Sequence, residues 1–96
     1  MNRNKIFEIA NMMRFVTNLK NEKEVTNFMA DILTRSELET LSKRWRILNM
    51  LKEGRTQRAI AHELKVSLCK VTRGSKILKD KNSVITKYLV KENYNV

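Results

Sequence analysis

A chain of 96 residues makes one domain (1–96), and a domain this short buries a modest fraction of its surface. One cysteine, Cys69, excludes an internal disulfide framework and a cysteine metal cluster, and no apolar run approaches the length of a membrane span. The net charge of +10 is one-sided: residues 1–40 hold six Lys/Arg and six Asp/Glu, residues 41–96 fourteen against four. Such an imbalance points to a polyanionic partner on one side of the molecule; its bland counterpart is a solubilising surface.

There is no proline and there are two glycines, Gly54 and Gly74. Apolar residues do not alternate with polar ones over any long run, so the fold class expected is all-α. Over 4–20, Ile6, Ile9, Met12, Met13, Val16 and Leu19 recur at helical spacing beside Phe15. Over 23–32, Val25, Phe28, Met29 and Ile32 do the same. These stripes read as core, methionine being an adaptable gap-filler. Their breadth exceeds what so short a chain covers alone, which predicts a homodimer and makes 4–53 its dimerisation and core segment.

Thr34-Arg-Ser-Glu37 is a capping box. The helix it opens carries Leu38, Leu41, Trp45, Leu48 and Leu51 on one stripe, with Trp45 expected in the core and Gly54 as the stop. Thr56 caps a short helix to about Leu64, with Ile60, Ala61 and Leu64 inward. Ser67 caps another, to about Lys79, with Val71 and Leu78 inward. The polar break Asp80-Lys-Asn-Ser83 precedes a C-terminal packing helix over 84–93, presenting Ile85, Tyr88 and Leu89. Six helices result.

Segment 56–79 meets the demands of a helix-turn-helix. It offers a small residue, Ala61, in the first helix, apolar Ile60, Leu64, Val66 and Val71 around the turn, and a polar, basic second helix suited to the major groove. Ser67, Leu68, Cys69, Lys70 and Thr72 are the expected base readers. Arg58, Lys76 and Lys79 are expected on phosphate. Lys52 and Arg55 suit phosphate contact or solubility alike. The turn position Lys65 departs from the glycine often found there and must accept a strained conformation. His62 is solvent-facing or near phosphate. Gly74 costs about 1 kcal/mol relative to alanine inside a helix and so implies the close approach of a ligand or of another helix. No catalytic constellation is present, so the chain is not read as an enzyme.

From Leu33 to Lys79 the chain resembles the Trp repressor family, which includes relatives with no known amino-acid ligand. The residues that carry the resemblance are Leu33-Thr34, Leu41-Ser-Lys-Arg44 with Arg46 and Ile47, Glu53-Gly54, Gln57-Arg58, and Val71-Thr-Arg-Gly-Ser75 with Leu78-Lys79. The resemblance implies an intertwined all-helical homodimer that binds a double-stranded DNA operator; the compartment expected, from the lone cysteine and the lack of a membrane span or secretory signal, is the cytoplasm. No cofactor is required for the fold; L-tryptophan or a related indole is the candidate co-repressor. By position, Arg44 and Arg73 would clamp the indole and Arg73 would pair with its carboxylate. Leu33 and Thr34 would meet the amino group, and Gly74 would admit the ring. Two departures bear on that ligand: Ile77 stands where tryptophan-responsive members generally have serine, and the loop Gly54–Gln57 is one residue shorter. The alternatives are a ligand-independent regulator of the same family and a helical RNA- or protein-binding adaptor.

Overall fold

The computed structural model describes residues 3–90, and those residues form six α-helices and no strand. They are α1 (Arg3–Thr17), α2 (Glu22–Ile32), α3 (Arg35–Lys52), α4 (Gln57–Leu64), α5 (Leu68–Lys79) and α6 (Val84–Leu89). They fall into two compact units, the first ending at Leu38 and the second beginning at Glu39. Among the described residues no helix is long and apolar enough to cross a membrane.

In the first unit, α1 stops at Thr17, three residues before the periodic stripe ends. The Thr17 hydroxyl and the Asn18 amide both donate to the carbonyl of Arg14, at 2.9 and 2.8 Å, and so satisfy a carbonyl left open by the helix end. Asn21 then caps α2. Its side chain accepts from the Glu24 N–H at 2.9 Å while the Glu24 carboxylate accepts from the Lys20 N–H at 2.7 Å. The rings of Phe15 and Phe28 pack with centroids 5.4 Å apart. The box at the start of α3 forms reciprocally: the Thr34 N–H donates to Glu37 Oε1 at 2.9 Å and the Glu37 N–H to Thr34 Oγ1 at 3.1 Å. Part of the α1 stripe remains uncovered, with Ile6 55%, Ile9 43% and Met13 42% exposed, and Phe7 beside it is 66% exposed.

In the second unit the core is the cluster Ile47, Met50, Ile60 and Val71, with Leu51, Ala61, Leu64 and Val66 packed against it. α3 therefore buries the face of Ile47, Leu48 and Met50, rotated from the stripe read from sequence. Trp45 falls on the edge of that face, and its side chain is 45% exposed rather than in the core. Gly54 (φ 89°) ends the α3 segment in a left-handed turn, as its position after the helix implies. The C-terminal helix is shorter than 84–93: it ends at Leu89, and residues 91–93 lie outside those described. Leu89 is buried, but Tyr88, expected on the packing face, is 54% exposed. Thr86 Oγ1 donates to the Ile77 carbonyl at 2.6 Å and ties α6 to the end of α5.

Candidate nucleic-acid interface and ligand cleft

α4 and α5 are joined by a three-residue turn, 65–67, and pack through Ile60 and Val71, both fully buried. Lys65 closes α4 in the left-handed region (φ 56°, ψ 46°), the only non-glycine among the described residues with positive φ. Its N–H still reaches the carbonyls of Ala61 and His62, so the strain is offset by carbonyls satisfied at the helix end. Thr56 caps α4 by accepting the Ala59 N–H at 3.1 Å. Ser67 occupies the cap position of α5 but its hydroxyl makes no cap hydrogen bond, contrary to the sequence reading. The start of α5 therefore keeps that hydroxyl unspent within the helix.

Three faces of α5 follow from its periodicity. Val71 and Gly74 are buried, and Leu78 lies half-buried beside them. Ser67, Leu68, Cys69, Arg73, Lys76 and Lys79 are exposed, and Cys69 and Lys76, seven residues apart, share one outward face. Arg58 is exposed on α4. Thr72 departs from this set: it is half-buried and its hydroxyl donates to Gln57 Oε1 at 2.9 Å.

Lys70, Arg73, Gly74 and Ile77 follow the i, i+3, i+4, i+7 spacing of one helical face, and all four line a cleft against α3. On the α3 side stand Arg44, Leu41 and Trp45, with the buried Ile47 and Leu48, and Ile85 of α6 also lines the cleft. The cleft has a volume of about 210 Å³ and is partly open to solvent. The structure thus brings together four expected ligand residues, Arg44, Arg73, Gly74 and Ile77, all in the second unit. Leu33 and Thr34 belong to the first unit, where Leu33 closes α2 and Thr34 opens α3. The sequence reading missed Trp45 and Ile85 as lining residues. It also assigned Lys70 to base reading alone, although its place seven residues before Ile77 is a signal for the cleft.

Gly74 has a definite structural role. A Cβ built there would lie 3.0 Å from Ile47 Cγ2 and 3.3 Å from Leu51 Cδ1, so its bare backbone lets α5 approach α3. The approach of a second helix is thus one reason for a glycine here, and Gly74 also lines the cleft.

The α3–α4 corner is held by charge. Glu63 of α4 bonds Arg55 of the loop and stands 3.8 Å from Arg46 of α3. The hydrogen bond from Arg55 holds the Glu63 carboxyl below the usual carboxylate range, and the same bond raises the Arg55 guanidinium. Arg55 is thereby engaged within the fold. On α3, Lys43 pairs with Glu39; among the described residues Arg44, Lys70 and Arg73 take part in no ion pair.

Comparison with known proteins agrees with this arrangement. The family model described as Trp repressor protein matches residues 8–93. A Trp operon repressor homolog of Xylella fastidiosa (strain M23) is 36% identical over 83 residues, covering 85% of this chain and 88% of that protein. A Trp operon repressor homolog of Chlamydia trachomatis serovar D is 35% identical over 75 residues, covering 77% of this chain and 80% of that protein. No solved structure is significantly similar to the chain. The match over nearly the whole sequence and the identity to these relatives together show that the chain belongs to the Trp repressor family.

Proposed function

We propose that the chain is a sequence-specific, duplex-DNA-binding transcriptional repressor that acts in the cytoplasm as a homodimer, with L-tryptophan or a related indole held in the cleft as co-repressor. The family is one of transcription regulators, not of enzymes. The observation that carries the DNA reading is the pairing of α4 and α5 across a tight turn on Ile60 and Val71, with exposed Cys69 and Lys76 on the free face of α5. Entry of that second helix into the major groove is the established docking mode of helix-turn-helix proteins, Trp repressor among them. In this reading Ser67, Leu68, Cys69 and Lys70 meet base edges. Arg58, Lys76 and Lys79 hold phosphate, and Thr72 positions α5 through Gln57. A two-fold dimer would set two such helices about 34 Å apart, one turn of the duplex, which calls for a pseudo-palindromic operator.

The cleft supports an effector role because it remains open with Ile77 in its wall. That counts against the view that Ile77 fills the site and makes the protein ligand-independent. Leu33 and Thr34 are assigned to the ligand's polar end by family resemblance. Repeated selection from random duplexes tests the DNA reading: it should enrich one motif with two related half-sites, and a pool that stays random would refute it.

A further inference from the structure

We propose that the outward flank of α4 is a second phosphate-binding surface, on which protonated His62 holds a backbone phosphate and makes DNA affinity depend on pH. This rests on the reading of α4 and α5 as a DNA reader and adds a proton-linked contact to it.

α4 sorts its side chains by face. Ile60 is buried and Gln57, Ala61 and Leu64 are half-buried, a single stripe at helical spacing. Glu63 lies on one flank of that stripe, where Arg55 and Arg46 engage it. Successive residues of a helix turn by about 100°, which puts Arg58 and His62, four apart, on the opposite flank. Lys65 follows them where α4 ends. Arg58, His62 and Lys65 are all exposed. The acid of α4 is thus turned to α3 and the loop, and its cationic side chains are turned away.

The charges around His62 are nearly all of one sign. Along α4 its neighbours are Arg58, Lys65 and the already engaged Glu63. α5, packed on α4 through Ile60 and Val71, carries Lys70, Arg73, Lys76 and Lys79, the thiol of Cys69 and no Asp or Glu. α3, which meets α4 in the core at Ile47 and Met50, gives Arg46 to Glu63. Among the described residues Arg58, His62 and Lys65 take part in no ion pair, and the imidazole makes no hydrogen bond. An anion reaching this flank meets uncompensated donors.

In a helix-turn-helix the first helix crosses the DNA backbone while the second enters the groove, so the anions offered to α4 are phosphates. A phosphodiester only accepts hydrogen bonds, and imidazolium offers it a charge-assisted one that neutral imidazole lacks. Histidine is the side chain whose charge changes near neutral pH, whereas Arg58 and Lys65 stay charged. Phosphate contact favours the protonated ring, so binding takes up a proton. The gain is present at low pH and is lost as pH rises through the histidine range of the complex.

Binding of the full chain to a selected duplex and to a mixed-sequence duplex, followed by fluorescence anisotropy at fixed salt from about pH 8 to about pH 6, tests the proposal. Affinity should rise at least about fivefold, the scale of an exposed charge contact, and equally on both duplexes, because phosphate carries no sequence. His62→Gln should hold the affinity near the wild-type value at pH 8 throughout, with unchanged helical circular dichroism. His62→Arg should hold it near the wild-type value at pH 6. A flat wild-type profile, or the same rise in His62→Gln, would overturn the proposal. The duplex selection separates the two readings. An enriched motif with a flat profile rejects the His62 contact and leaves the reader, whereas a His62-dependent rise without any motif rejects the reader and leaves the contact.

Discussion

Thr72 Oγ1 donates a 2.9 Å hydrogen bond to Gln57 Oε1 and so ties the middle of α5 to the first turn of α4, fifteen residues earlier. The two helices are fixed at one end by this bond and at the other by the turn at Lys65. Thr72→Val keeps the shape and removes the donor. It should cost about 1 kcal/mol in urea unfolding, with Thr72→Ser restoring most of it. In DNA binding, Thr72→Val should weaken every duplex alike. A changed base preference would instead make Thr72 a reader of sequence.

Gly74→Ala weighs two opposed effects. The helix gains about 1 kcal/mol of intrinsic propensity. Against that, the new methyl sits 3.0 Å from Ile47, which is buried against Met50, Ile60 and Val71, and overpacking costs about 1–3 kcal/mol. A net loss is expected for alanine and a larger one for Gly74→Leu, both read from chemical unfolding. A stabilised alanine variant would mean that Ile47 gives way and that the close approach of α5 to α3 is not constrained there.

The Glu63 hub predicts a pH dependence. Because its folded pKa is lowered, chiefly by the Arg55 hydrogen bond, its stabilisation is present above the unfolded glutamate value of about 4.3. It is lost as pH falls through the lower folded value. Wild type should therefore unfold at a higher temperature than Glu63→Gln at pH 7, and the difference should close on titration toward pH 3. Both groups are exposed, so the effect is modest and shrinks with added salt. A difference independent of pH would contradict the account.

The apolar surface of α1, on which Ile6 and Phe7 are each more than half exposed, is what the proposed homodimer would cover. Sedimentation equilibrium at about micromolar concentration should give twice the chain mass, as expected of an obligate dimer. Phe7→Glu should shift the population toward monomer. A folded wild-type monomer under those conditions would refute the dimer.

The helices and their caps were legible where local chemistry decides them. The Thr34–Glu37 box, the Thr56 cap and the Gly54 stop all follow from side chains within four residues of the helix end. Asn21 was as readable, by the glutamate three residues later, and was overlooked. What depends on distant parts of the chain was not legible. Trp45 looks like core on the Leu41–Leu48 stripe, but the face that α3 buries is chosen by Ile60 and Val71 on other helices. Tyr88 fails as a packing residue for the same reason. The role of the loop residue Arg55 depended on Glu63, eight residues along on α4. In the cleft, Arg44, Arg73, Gly74 and Ile77 were found through resemblance. The place of Lys70 was hidden because its spacing fits both the cleft and the DNA face.

Equilibrium binding of the dimer to a selected duplex and to a scrambled one, each across a range of salt, tests the central claim most directly. The selected duplex should bind about a thousandfold or more tightly near physiological salt. Lys70→Ala should erode that ratio. Lys76→Ala should weaken both duplexes similarly and reduce the salt slope by about one. Equal affinity for both duplexes, with the same steep salt dependence, would mean that the basic face of α5 holds polyanions without reading them, and would contradict the account.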